Sequence, residues 1–140
     1  MIRGIETARP TPAAAESIAA CTASGRLVAV VSNNYAEAVV EYLARAGLSE
    51  GVTHVEGRNP ADPTLMKPNP HLIDRAIRTL NVDPSSCVFI GDQTTDIEAG
   101  RAAGVATIGH ANKPGKVEAL KNAGADAVLT NMLDLAGAIN

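Results

Sequence analysis

The stretch GDQTTDIEAGRAAGVATIG, Gly91 to Gly109, decides the fold. An apolar run, Cys87-Val88-Phe89-Ile90, enters it, and a second one, Val105 to Ile108, leaves it. Between them Thr95 and Glu98 have capping-box spacing at the start of a helix-forming segment. Strand, helix and strand in such close succession predict a parallel βαβ unit. Asp92 and Asp96 stand at the strand-to-helix turn. Paired carboxylates there suit a hard cation such as Mg²⁺, which takes oxygen ligands and needs few from protein.

The same alternation extends in both directions. Upstream, Thr11-Pro12 reads as an N-cap with proline at the first helical position, and Gly25 closes that helix. Leu27 to Val31 is a short apolar strand ending in Ser32-Asn33-Asn34. A helix carrying Val39, Val40 and Leu43 on one face stops at Gly47, and Thr53 to Glu56 reads as a short strand. Gly57 to Pro70 is a loop rich in proline and asparagine. Asn69-Pro70 then opens a helix whose Leu72, Ile73, Ala76, Ile77 and Leu80 share a face. Downstream, Lys116 to Ala123 reads as a helix, Ala127 to Leu129 as a strand and Met132 to Ile139 as a helix.

Near-continuous apolar strands separated by amphipathic helices predict an α/β fold, a Rossmann-like parallel sheet with helices on both faces. Ligands of such sheets bind beyond the carboxyl ends of the strands, which puts Ser32 and Asp92 on one rim. The 140 residues form a single domain with residues 1–10 as an N-terminal extension. Twelve basic against fifteen acidic side chains give a formal charge of −3, with no basic stripe for nucleic acid. No apolar run reaches the roughly 18 residues of a membrane span, and no signal peptide opens the chain, so a cytoplasmic location is expected. Cys21 and Cys87 are expected to be reduced thiols in the core. His54, His71 and His110 have no ligand spacing.

Taken singly, the polar residues have plain readings. Ser32 would cap a helix beginning near Tyr35; Lys67 would be a solvated loop lysine; Asp92 and Asp96 would be acids favoured by a helix N-terminus. Taken together and in order, VVSNN, KPNP and GDQTTD resemble the haloacid dehalogenase (HAD) superfamily of hydrolases, in its Mg²⁺-dependent phosphatase branch. The resemblance runs from about Thr11 to the C-terminus. It implies that Ser32 hydrogen-bonds a phosphoryl oxygen, with Asn33 backing the same turn as a substrate-binding residue. It implies that Lys67 neutralises charge on the phosphoryl group, that Asp92 binds Mg²⁺ directly, and that Asp96 binds it or orients a bound water.

The family's first motif, DxDx[TV], supplies the attacking aspartate from a central strand. No Asp-x-Asp occurs among these 140 residues. The acids before Ser32 are Glu6 and Glu16. The first central strand and the cap domain are therefore expected to be missing, leaving a gap in the sheet or direct pairing of the strands that carry Ser32 and Asp92. The expected function is a domain of the phosphoryl-ester hydrolysis type that is inactive alone; the alternative is a dead module binding a phosphate or a protein. The expected partners are a phosphorylated small molecule or phosphoprotein at an open, uncapped rim, and a second copy or another chain filling the missing strand, unless Met1 to Ala8, with Ile2 and Ile5 but a poor β pattern, lies there instead.

Overall fold

The computed structural model describes residues 14–139; the expected N-cap at Thr11 and the N-terminal extension lie outside them. The elements follow one another as α1 (Ala14–Ala23), β1 (Val28–Val31), α2 (Ala36–Arg45), β2 (Val52–Glu56), α3 (His71–Leu80), β3 (Val88–Gly91), α4 (Thr94–Ala102), β4 (Ala106–His110), α5 (Lys116–Asn122), β5 (Ala127–Leu129) and α6 (Met132–Ile139). Short 3₁₀ turns at Pro63–Leu65 and Pro84–Ser86 punctuate the loops before α3 and β3. Each opens on an aspartate, Asp62 or Asp83, whose carboxylate accepts the amide of Thr64 or Ser85. Asn81 ends α3 in the left-handed region at φ 55°, a role that asparagine tolerates well.

All strand pairs are parallel. β1 pairs with β2 from Val28↔Val52 to Val31↔Glu56, with a register shift between Val28 and Ala29. β4 pairs on one side with β3 and on the other with β5. Among the described residues β1 and β3 do not pair, so the strands form a two-stranded and a three-stranded sheet. Direct pairing of the strands that carry Ser32 and Asp92, one outcome expected for a missing central strand, is thus not seen among the described residues.

The core explains why the two sheets stay together. Successive side chains on a strand point to opposite faces, so Val30 and Val31 feed different clusters. Val31 packs with Leu72, Ile73, Ala76 and Ile77 of α3, Phe89 of β3 and Ala99 of α4. Val30 packs on the other face with Val39, Tyr42 and Leu43 of α2, beside Ile18 of α1. Ile97, Leu120 and Ala111 join α4 to α5, with Val128 of β5 against them. Helix α1 also packs along α6, where the Ser17 hydroxyl donates to the Met132 carbonyl at 3.1 Å. α3 thus bridges the interval between β1 and β3 through shared apolar contacts rather than backbone hydrogen bonds.

The first turn of α4 is closed by Asp96, whose Oδ2 accepts the Gln93 amide at 3.2 Å, and not by Thr95 and Glu98. The strand ends at Gly91 and the helix starts at Thr94, two residues earlier than the box spacing requires. The cysteines are free but only partly buried, Cys87 lying just before β3 rather than inside it. Burial raises both thiol pKa values, against Arg26 at Cys21 and reinforced by Asp83 at Cys87. No helix of the described residues is long and apolar enough to cross a membrane.

Candidate functional site

Ser32 follows β1 directly. Its amide extends the ladder to the Glu56 carbonyl at 3.0 Å, and its Oγ accepts the Asn34 amide at 3.1 Å. Tyr35 stands at the N-cap of α2 and makes no side-chain cap bond, so Ser32 is a turn residue and not a helix cap. The end of β2 beneath it is tied by Glu56, which accepts Arg75 Nε at 3.1 Å and lies 2.9 Å from His54 Nε2. Next to Ser32, the Asn33 amide grips the backbone of Lys67 in both directions. Its Oδ1 accepts the Lys67 amide at 2.8 Å, and its Nδ2 donates to the Lys67 carbonyl at 3.3 Å. Asn33 therefore positions the lysine as well as backing the serine turn.

That grip turns Lys67 inward. Its ammonium donates to Asp96 Oδ1 at 2.5 Å and to the Val31 carbonyl at 3.3 Å, and it lies 5.4 Å from the centre of the Phe89 ring. Lys67 thus links β1, β3 and α4 across the interval between the sheets. The Lys67 and Asp96 side chains are 3% and 2% exposed, so the solvated loop lysine of the plain reading is not what folds. Burial pushes the Asp96 carboxyl upward, while positive charge around it, the Lys67 ammonium included, and the hydrogen bonds from Lys67 and the Gln93 amide pull the other way; the net shift is downward. Gly91 makes room for this carboxylate, because a Cβ there would stand 2.2 Å from the Asp96 Cβ.

Asp92 occupies the rim. Its Oδ2 accepts Asn112 Nδ2 at 3.2 Å, and its backbone carbonyl accepts Lys116 Nζ at 2.8 Å. The same ammonium lies 4.0 Å from the carboxylate. His110, buried at the end of β4, has its pKa lowered by burial, against the pull of Asp92 and with the help of Lys116. An open cleft of about 320 Å³ adjoins Asp92, lined by Gln93 and Thr94 of the α4 entry and by Lys113, Lys116 and Leu120.

The expected site residues therefore divide by depth. Ser32 and Lys67 are buried with Asp96, at 0%, 7% and 1% residue exposure, whereas Asp92 borders the cleft. Mg²⁺ keeps several waters and takes one or two protein carboxylates, so the donor chemistry at Asp92 suits it, while Asp96 is engaged by Lys67 and Gln93. Among the described residues no three of His, Cys, Asp and Glu gather into a metal-binding group. Sequence reasoning missed His110, Asn112, Lys113 and Lys116. Their position just beyond β4 was the available signal, because in parallel sheets the segments after strand ends face the ligand.

Residues 3–110 match the family model described as haloacid dehalogenase-like hydrolase. The chain belongs to that family. Among curated HAD-like relatives, the N-acetylmuramic acid 6-phosphate phosphatase of Pseudomonas aeruginosa is 35% identical over 102 residues, covering 71% of this chain and 43% of the relative. A plasmid-encoded phosphoglycolate phosphatase of Cupriavidus necator is 34% identical over 126 residues, covering 86% and 52%. The chain thus spans about half the length of these curated relatives. A solved HAD family hydrolase from Deinococcus radiodurans, with bound phosphate and sodium, superposes with a TM-score of 0.76 at 33% identity over 90% of this chain and 57% of that one.

Proposed function

We propose that this chain is the phosphate-handling part of a HAD-type phosphomonoester hydrolase, with Ser32, Asn33 and Lys67 serving the phosphoryl group, Asp92 serving Mg²⁺ and Asp96 holding Lys67 in place. The observation that carries the reading is the Lys67 ammonium, held by Asp96 and the Val31 carbonyl at the carboxyl end of β1. An ammonium has three donors; these two acceptors leave one for a phosphoryl oxygen. Ser32 would add a hydroxyl from the same strand end. Asp92 would hold the cation from the rim, and Asp96 would act mainly by fixing Lys67. Bound Mg²⁺ would supply neutralisation of phosphoryl charge. Fixed charges and donors of this kind carry most of phosphoryl-transfer catalysis.

Turnover by the covalent route needs an attacking carboxylate, and the 140 residues hold no Asp-x-Asp. On our reading the chain alone binds but does not hydrolyse. The same observation favours a second reading, a module that holds a phosphorylated ligand or protein without chemistry. The interval between β1 and β3 would then admit a strand from a second copy or a partner chain. Leu27 and Val88, 54% and 55% exposed at the amino ends of β1 and β3, support such an apolar seam. A monomer at all concentrations in light scattering would remove the second-copy version.

Mg²⁺-dependent release of nitrophenol from p-nitrophenyl phosphate, compared between this chain and Asp92→Asn, tests the catalytic half. Equal background in both is expected. Turnover that Asp92→Asn abolishes would show that the chain supplies its own nucleophile and would overturn the inactivity.

A further inference from the structure

Resting on that reading, we infer that Phe89 is a positioning residue for Lys67: its ring attracts the ammonium and holds it in place for the phosphoryl group. The Lys67 Nζ lies over the Phe89 ring, 5.4 Å from its centre. That is inside the roughly 6 Å over which a cation is drawn to the negative face of an aromatic ring. Both residues are buried, Lys67 at 7% and Phe89 at 9% exposure, so little water screens the attraction.

Packing alone does not call for an aromatic side chain at this position. The other buried members of its cluster are all aliphatic, from Val31 of β1 through Leu72 and Ile73 of α3 to Val105. Phe89 is the one phenylalanine among the 140 residues, and tryptophan is absent. The ring is also well fixed. Phe89 pairs with Thr107 in the ladder between β3 and β4, and α4 backs it at Gly100, where a Cβ would lie 3.5 Å from both Cβ and Cδ2 of Phe89.

Lysine carries its charge on a flexible four-carbon stem, so a fixed surface under the ammonium restricts it. Asp96 Oδ1 holds the group closely at 2.5 Å, whereas the Val31 carbonyl is a long bond of 3.3 Å. A ring adds attraction without a lone pair, so the third N–H is left for a phosphoryl oxygen. The ammonium is then held from β1, β3 and α4 together.

The single phenylalanine makes the test selective. Producing the chain with para-fluoro- or trifluorophenylalanine in place of phenylalanine alters Phe89 alone; it changes the ring's shape little and weakens its negative face in steps. Urea unfolding, and amide NMR titration with inorganic phosphate in Mg²⁺, are measured on the normal and fluorinated whole chains. Unfolding is repeated in the Lys67→Met, Asp96→Asn double variant, which lacks the ammonium and its counter-charge. With Lys67 present, the trifluorinated ring is expected to lower the folding constant about fivefold more than it does in the double variant, the scale of a cation–π contact. Phosphate binding to the Lys67 chain is expected to weaken by a similar factor, with the para-fluoro ring in between. Equal losses of stability in both backgrounds would show that the ring acts by packing and would overturn the inference. A stability coupling with phosphate affinity unchanged along the series would overturn the positioning role and leave the proposed function standing. No phosphate binding by the normal chain would remove the proposed function and this inference together.

Discussion

The ammonium of Lys67 lies 2.5 Å from Asp96 Oδ1, and both side chains are almost wholly withdrawn from water. The pair joins residues 29 apart in sequence and sits where β1 and β3 fail to meet. Taking one partner from a buried ion pair leaves an uncompensated charge, which typically costs about 3–5 kcal/mol. Lys67→Met should therefore lower stability by about that amount in urea unfolding at pH 7. Adding Asp96→Asn to it should recover a large part of the loss, a coupling that two independent sites would not show.

Acid should act through the same carboxylate. The folded-state pKa of Asp96 is depressed below its unfolded value. Its contribution is thus fully present above the ordinary aspartate range near pH 4 and is lost as pH falls through the lower folded value. Urea midpoints measured from pH 7 to pH 3 should drop below about pH 4, and Asp96→Asn should flatten that part of the curve. An identical acid limb in the variant would assign the loss to other carboxylates.

Gly91 is set by the space that Asp96 needs. A methyl group there meets the Asp96 Cβ, Cγ and Oδ2 within 2.6 Å. Overpacking of a tight site costs about 1–3 kcal/mol. Gly91→Ala should lose at least that in thermal or urea unfolding, and the amide signals of Gln93 and Lys67 should shift with it, because the carboxylate binds both.

Much of this arrangement could be read before folding was considered. Ala127–Leu129 and Met132–Ile139 fall where apolar period and turn residues put them. So does α3, whose Leu72, Ile73, Ala76 and Ile77 face the core as their spacing predicts. Failures came where a long-range partner overrode a local pattern. The spacing of Thr95 and Glu98 fits a capping box, yet the length of β3 starts α4 early and hands the cap to Asp96. Lys67 has no local reason to be buried; Asn33 and Asp96, distant in sequence, turn it inward. Cys87 continues an apolar run, but the 3₁₀ turn at Pro84–Ser86 leaves it outside the strand.

Asn33 gives a graded test of that inward turn. Asn33→Ala removes both bonds to the Lys67 backbone, and each net hydrogen bond contributes about 1 kcal/mol. Asn33→Asp keeps an acceptor for the Lys67 amide but loses the donor to its carbonyl. Stability should fall in the order wild type, Asp, Ala, and phosphate affinity should follow it if Asn33 works by placing Lys67.

The central claim is that the phosphoryl group is held at the carboxyl ends of β1 and β3. Titrating the isotopically labelled chain with inorganic phosphate in Mg²⁺, and mapping the amide shifts, tests it most directly. Shifts concentrated at Ser32, Asn33, Asn34 and Lys67 and at Gly91 to Gln93, and absent from Lys67→Met, are the predicted result. Shifts confined to other surfaces, or a Lys67→Met variant that binds phosphate as the wild type does, would contradict it.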